Sequence, residues 1–172
     1  MAKSLFMGFF CNFAVKTGFN MKRFFILFVL IALVGCQSPV VFSHHEEFDR
    51  ALWNRFHFIE LDVPITDSQQ LYDLSIDFTN NGDYPSDYIE LNFTIFYASS
   101  GMRSRDYTFR LQDNNRQWTG EKNPQGFTSH LQIISGMQFP ENGTHRIRIE
   151  SKMTKFDLPG VVSLNFTIKK SK

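Results

Sequence analysis

The sequence has little cysteine, no excess of charge of either sign and no apolar run of the length that a membrane-spanning helix needs. Only two cysteines occur among 172 residues, whereas small secreted domains held together by disulfides carry more. Eighteen basic residues against 17 acidic ones give a net charge of +1, so no basic field indicates nucleic-acid binding. The clearest apolar run, from Phe24 to Val34, has eleven residues, and a spanning helix needs about 20.

Sequence motifs of catalysis are also absent. We find no Gly-x-Ser-x-Gly elbow, no phosphate-binding loop and no zinc motif. The histidines lack the spacing of metal ligands, and sequence neighbours point to opposite sides of a strand. We therefore predict no enzymatic activity, no metal, no cofactor and no small-molecule substrate. We interpret the five histidines as a mixed set of surface side chains: His44, His45, His57, His130 and His145.

The N-terminal region does contain an export signal. Met21-Lys22-Arg23 provides a short positive segment, and the apolar run after it has the length of a signal-peptide core. The run ends in Leu33-Val34-Gly35-Cys36, which resembles the lipobox of bacterial lipoproteins. Small residues there fit a narrow peptidase cleft, and acyl chains on the cysteine contribute ~0.8 kcal/mol per buried CH₂. We predict cleavage before Cys36 and a membrane anchor on its acylated thiol and amine.

These signals divide the chain into four segments. Residues 1–20 fit poorly before a compact signal peptide at 21–35, and we interpret them as an over-extended gene start, with translation beginning at Met21. Residues 36–39 form a lipidated tether, and residues 40–172 form one domain. Four of the 18 basic residues precede the cleavage point, so the mature chain keeps 14 basic and 17 acidic residues, a net charge of −3.

Period-two alternation of apolar and polar residues runs through the mature domain, and helical periodicity is almost absent. The 20 phenylalanines also favour strands. The alternation from Ile89 to Tyr97 predicts a central strand with Leu91, Phe93 and Ile95 in the core. Other alternating segments predict further strands: Tyr72–Phe78, Tyr107–Leu111, Ile147–Met153 and Val162–Ile168, with less regular ones near Val40–Phe42, Phe56–Val63 and Thr128–Ile134.

Turn-forming segments, such as Asn80-Asn81-Gly82-Asp83 and Glu141-Asn142-Gly143, separate these strands. About eight short strands with one apolar face each predict an all-β fold. We expect an antiparallel β-sandwich of about eight strands, preceded by the cleaved signal helix. A β-barrel is the alternative.

Two polar features of the domain are candidates for binding. Asp77, Asp83 and Asp87 surround the Asn80-Asn81-Gly82 loop, where calcium is conceivable, but ordinary Asx-turn chemistry is the favoured interpretation. A stripe of alternate charges on one predicted strand could bind an acidic partner. We favour a solvated strand face that protects a sheet edge from pairing. The stripe comprises Arg146, Arg148, Glu150 and Lys152.

Aromatic residues beside turns are the third candidate. Tyr84-Pro85, Trp118 and Phe156 lie next to predicted loops. Such side chains could form a surface for sugar stacking or protein docking. We favour the alternative in which they fold back as a plug over one end of the sandwich.

A set of short motifs follows the lipobox in a fixed order, and with them the chain resembles the gliding-motility lipoprotein GldH family. The resemblance covers nearly the whole mature region, and no binding residue is carried over from it. The motifs are Tyr72-Asp73-Leu74, Asn81-Gly82-Asp83-Tyr84-Pro85, Ser100-Gly101, Asp106-Tyr107, Leu111-Gln112-Asp113, Trp118-Thr119-Gly120, Phe139-Pro140, Gly143, Met153 and Leu158-Pro159-Gly160-Val161.

The resemblance implies a non-enzymatic accessory protein of the gliding machinery, which is linked to type IX secretion, with other envelope proteins as partners. A glycan-binding envelope module is the alternative, by fold-level analogy with other β-sandwiches. No acidic run follows Cys36, whereas surface-exported lipoproteins of gliding bacteria tend to carry one. We therefore expect an outer-membrane lipoprotein whose domain faces the periplasm.

Overall fold

The computed structural model describes residues 40–172, and β-strands make up most of that range. The expected gene-start extension, signal peptide, Cys36 and tether, residues 1–39, lie outside the described residues. The observed elements, in chain order, are β1 (Val40–Glu47), a 3₁₀ turn (Asp49–Ala51), β2 (Leu52–Asn54), β3 (Ile59–Ile65), β4 (Leu71–Asn80), β5 (Tyr88–Phe96), β6 (Met102–Arg110), β7 (Glu121–Asn123), β8 (Gly126–Gln138), β9 (Gly143–Ser151), β10 (Asp157–Pro159) and β11 (Val161–Lys170).

The strands form two large antiparallel sheets and one small one. The five-stranded sheet has the order β1-β11-β4-β8-β7, and the four-stranded sheet has the order β3-β9-β5-β6. β2 and β10 form a separate pair. None of these sheets closes on itself within residues 40–172, so the sandwich is confirmed over the barrel. The eight long strands are those predicted; β2, β7 and β10, of three residues each, are not.

The core lies between the inner faces of the two large sheets. Leu91, Phe93 and Ile95 are buried in β5, which pairs with β6 on one side and β9 on the other. The Phe93 ring lies 5.7 Å from the ring of Phe166 on β11, in the opposite sheet. The predicted central strand and its core residues are therefore confirmed. Burial of such side chains is the main stabilising contribution, at about 1.5–3 kcal/mol each.

All long strands run between two ends of the sandwich. Val40 pairs with Lys169 and Glu47 pairs with Ser163, so β1 begins at one end and finishes at the other. We call the end at Val40 the proximal end and the end beyond Glu47 the distal end. Strand connectivity assigns the loops to these ends: 66–70, 97–101, 139–142 and 171–172 are proximal, and 48–58, 81–87, 111–125 and 152–160 are distal.

A small layer built on β2 and β10 covers the distal end. Trp53 is fully buried there, and its ring stacks on Phe48 with centroids 5.0 Å apart. The indole N–H donates to the carbonyl oxygen of His57 at 2.9 Å. A large aromatic ring with a satisfied donor can be buried at little cost, so the distal loops have a fixed base.

Candidate docking surfaces

The most exposed aromatic side chains of residues 40–172 lie together at the distal end. Phe56 is 64% exposed and Phe156 is 58% exposed, and their rings meet edge to face with centroids 5.4 Å apart. Leu52 is exposed on the same distal segment. We call Leu52, Arg55, Phe56, Lys155 and Phe156 the distal tip. Isolated exposed apolar residues are ordinary, but a contiguous group marks a candidate interaction site.

Backbone pairing holds the two loops of the distal tip against each other. Asn54 pairs with Asp157 at the end of the β2–β10 ladder. The next residue, Arg55, donates its backbone N–H to the carbonyl oxygen of Phe156 at 2.7 Å. The Asn54 side chain donates to the Asp157 carboxylate at 2.8 Å and accepts from the Phe56 N–H at 2.9 Å. The two phenylalanines are thus presented on a braced backbone.

Other aromatic residues of the distal end are packed inside it. The Tyr84 ring meets Phe78 at 5.6 Å and Trp118 at 6.2 Å between centroids. The Tyr84 hydroxyl donates to the carbonyl oxygen of Tyr88 at 3.0 Å, and burial raises the pKa of this phenol above its ordinary value. The predicted plug is therefore correct for Tyr84 and Trp118. It is wrong for Phe156, which directly precedes β10 and has an exposed ring.

The loop after β4 forms an Asx turn, as the favoured interpretation predicts. The Asn81 side-chain oxygen accepts the backbone N–H of Asp83 at 2.9 Å. Asp77 lies on β4, and its carboxylate is 2.7 Å from Nδ1 of His130 on β8. The three aspartates considered for calcium do not converge, and no group of three metal-ligating side chains occurs within residues 40–172.

The charged stripe on β9 does not protect a sheet edge. β9 lies between β3 and β5, so the edge interpretation is wrong. Which strands lie at a sheet edge is decided by the tertiary fold, and the alternation within one strand does not indicate it. Arg146 donates to Asp62 at 3.1 Å and Arg148 donates to Glu60 at 2.8 Å, both on β3. These cross-strand pairs neutralise the stripe on the outer face of the four-stranded sheet.

A shallow cleft lies beside the stripe. Its volume is about 460 Å³, and its lining includes Phe96, Tyr97 and Arg146. The Arg148 guanidinium lies over the rings of Phe58 and Phe96, at 5.3 and 5.5 Å from their centroids. An acidic ligand here would have to compete with carboxylates already in place, which makes this face a weaker candidate than the distal tip.

The surface interpretation of the histidines is wrong for His145. This residue is fully buried, with its ring 4.8 Å from Phe139 and 6.0 Å from Tyr97. Its Nε2 lies 3.1 Å from the carbonyl oxygen of Glu141. The signal was present in the sequence, since His145 is in phase with the inward-facing Ile147 and Ile149 of β9.

Two other histidines share one carboxylate. Nε2 of His44 lies 3.1 Å and Nε2 of His57 lies 3.3 Å from the oxygens of Glu46. All three side chains are partly exposed. These contacts link β1 to the loop that precedes β3, and we interpret them as structural.

Comparison with known proteins gives a family match over nearly the whole described domain. The family model described as GldH lipoprotein matches residues 40–168. A protein of Christiangramia forsetii named "Gliding motility lipoprotein GldH homolog" is 24% identical over 155 residues, covering 86% of this chain and 94% of that protein. No solved structure matches the chain. No helix within residues 40–172 is long and apolar enough to cross a membrane.

Proposed function

Because this chain belongs to the GldH lipoprotein family, we propose that it is a non-enzymatic accessory of the gliding and type IX secretion machinery that acts by protein–protein contact. The family is one of lipoproteins associated with gliding motility. The finer proposal rests on one observation, the exposed aromatic pair Phe56 and Phe156 at the distal end.

The proposed anchor lies at the other end of the domain. Acylated Cys36 precedes Val40 by four residues, and each extended residue spans at most ~3.6 Å. The proximal end therefore stays within about 15 Å of the bilayer surface. β1 has eight residues, which at ~3.3 Å each carry the chain about 26 Å further to the distal end. The distal tip thus lies at the end of the domain opposite the proposed anchor.

The composition of the tether supports a periplasmic orientation. Gln37-Ser38-Pro39 carries no acidic residue, which favours retention on the periplasmic face of the outer membrane. Partners would then be neighbouring envelope proteins. Protease added to intact cells should spare the domain, and permeabilised cells should lose it. Digestion in intact cells would contradict the periplasmic orientation.

Protein contact fits the distal tip better than sugar binding does. Sugars stack on the flat face of an aromatic ring, often with hydrogen-bonding groups beside it. Phe56 and Phe156 meet edge to face at an interplanar angle of 75°, so the pair offers no shared flat platform. Binding of purified full-length protein to envelope glycans, abolished by loss of the two rings, would instead support the glycan-binding alternative.

Deletion of the gene in the host bacterium tests the proposed function. We expect impaired gliding or impaired secretion through the type IX system, restored by a plasmid copy of the full-length chain. Normal motility and normal secretion in the deletion strain would overturn the proposal. An enzymatic activity that purifies with the protein would overturn its non-enzymatic part.

A further inference from the structure

We propose that the distal tip docks onto an acidic-rimmed apolar site of a partner protein in the envelope. The inference rests on the proposed function for where the tip meets its partner, and it adds the chemistry of that partner. The apolar part of the contact comes from Phe56 and Phe156. Both rings lie in water, and transfer of this surface into a partner site is favourable.

The distal tip is preorganised for docking. The backbone bond from Arg55 to Phe156 and the Asn54–Asp157 side-chain bond keep both loops in place. The two rings already contact each other. Little conformational freedom remains to be lost on association, so more of the apolar gain appears as affinity.

The charge of the distal tip indicates which charge the rim of the partner's binding site must carry. Arg55 and Lys155 directly precede Phe56 and Phe156 in the sequence, are exposed, and form no ion pair within residues 40–172. The two distal loops, residues 48–58 and 152–160, are net basic, since they contain four basic residues and two acidic ones, Asp49 and Asp157. Asp49 is already paired with Arg50, and the Asp157 carboxylate accepts from the Asn54 side chain. The domain as a whole has three more acidic than basic residues, so this basic and aromatic group is a local exception. Its electrostatic complement is a cluster of carboxylates.

Two other occupants are disfavoured, a second copy of the chain by charge and the membrane by distance. A second copy of the chain docking tip to tip would bring Arg55 and Lys155 against their equivalents, and like charges disfavour that contact. The membrane that holds the proposed anchor is reached from the proximal end, about 26 Å away along β1. A protein partner that carries carboxylates is the occupant that remains.

Photocrosslinking in living cells tests this inference with the full-length chain. A photoreactive amino acid replaces Phe156, and in a matched control strain it replaces Met102, which is 66% exposed at the proximal end. We expect position 156, and not position 102, to crosslink to a protein whose labelled peptide is rich in aspartate or glutamate. The double variant Arg55→Glu with Lys155→Glu should reduce this adduct by roughly tenfold or more. Exchanging the partner's carboxylates for lysine should restore it.

Several outcomes would overturn the inference. They are equal labelling from both positions, a labelled peptide without carboxylates, an adduct with a second copy of the chain, an adduct with lipid, no adduct from position 156, or an adduct that charge reversal leaves unchanged. Failure of the proposed function is separable from these outcomes. A deletion strain with normal gliding and secretion would overturn the function, while a charge-dependent adduct at position 156 would leave the docking inference standing.

Discussion

Gly160 lies so close to Tyr84 that a Cβ atom on residue 160 would be 2.2 Å from the Tyr84 backbone nitrogen. Gly160 also has a φ of +78°, which favours glycine. Its carbonyl oxygen accepts the backbone N–H of Asn81 at 2.9 Å. Two segments that carry the family resemblance, around residues 81–85 and 158–161, therefore meet at this point. Together they hold the buried base of the distal end.

Replacing Gly160 with alanine should destabilise the domain. The strained backbone alone costs about 1–3 kcal/mol, and the clash with Tyr84 adds to it. Gly82 provides a matched control, because a Cβ there would meet nothing within 4 Å, and Gly82→Ala should change stability by less than ~0.5 kcal/mol. Denaturant unfolding of the purified proteins measures both. Equal effects at the two positions would mean that residue 160 is not confined as described.

Truncation of Phe93 should expose the contribution of the core. Phe93 is 2% exposed and packs on Phe166, so Phe93→Ala should cost about 3–5 kcal/mol of unfolding free energy. Phe56→Ala removes the same ring from a 64% exposed position and should cost less than ~0.5 kcal/mol. A loss below ~1 kcal/mol for Phe93→Ala would mean that this side chain does not face the core. A large loss of unfolding free energy for Phe56→Ala would mean that the distal tip contributes to the stability of the fold.

Much of the fold can be read from the sequence because its long strands alternate cleanly. β5 and β9 bury every second residue over most of their length, and a local pattern is enough to predict such strands. β2 and β10 are three residues each, too short to show any period. Their pairing depends on contacts between residues about 100 positions apart, which no local pattern encodes.

The candidate site is less predictable for the same reason. Tyr84 and Phe156 are both aromatic residues beside turns, yet one is buried and the other is exposed. Tyr84 is buried because its ring packs on Trp118 and its backbone lies close to Gly160, and both of these residues are distant in sequence. Whether the stripe on β9 lies at an edge or inside a sheet also depends on long-range strand order.

Asp73 should stabilise the fold in a pH-dependent way. The Ser171 hydroxyl and the Gly136 backbone N–H donate to its carboxylate, and these bonds lower its pKa below the usual range. A lowered pKa gives stability that is present above the unfolded-state pKa, near 4, and is lost as pH falls through the folded-state value. Asp73→Asn should therefore lower stability at neutral pH.

The stability difference between wild type and Asp73→Asn should shrink as the pH is lowered below the unfolded-state pKa of the carboxyl. Denaturant midpoints measured across that range test this. Ser171→Ala removes the hydroxyl that donates to Asp73. In this background, Asp73→Asn should change stability at neutral pH by less than it does in the wild-type background. A difference that stays constant with pH would contradict the role assigned to the carboxylate.

Cys36 should be required for anchoring. Its place after Leu33-Val34-Gly35 predicts that Cys36→Ser leaves the precursor uncut and without lipid. Mass spectrometry of the N-terminus and phase partition in detergent measure the two effects. Replacement of the Met1 codon serves as the companion test, since initiation at Met21 would leave the amount of mature protein unchanged. Normal processing of Cys36→Ser would show that another residue begins the mature chain.

Colony spreading of a gliding host tests the central claim most directly, namely that the protein works through its distal tip. The deletion strain is complemented with wild type, with Phe56→Ser plus Phe156→Ser, or with Met102→Ser as an equally exposed control. All proteins are compared at matched amounts and lipidation. The account predicts that wild type and Met102→Ser restore spreading while the double tip variant does not. Full spreading with the double tip variant would contradict it.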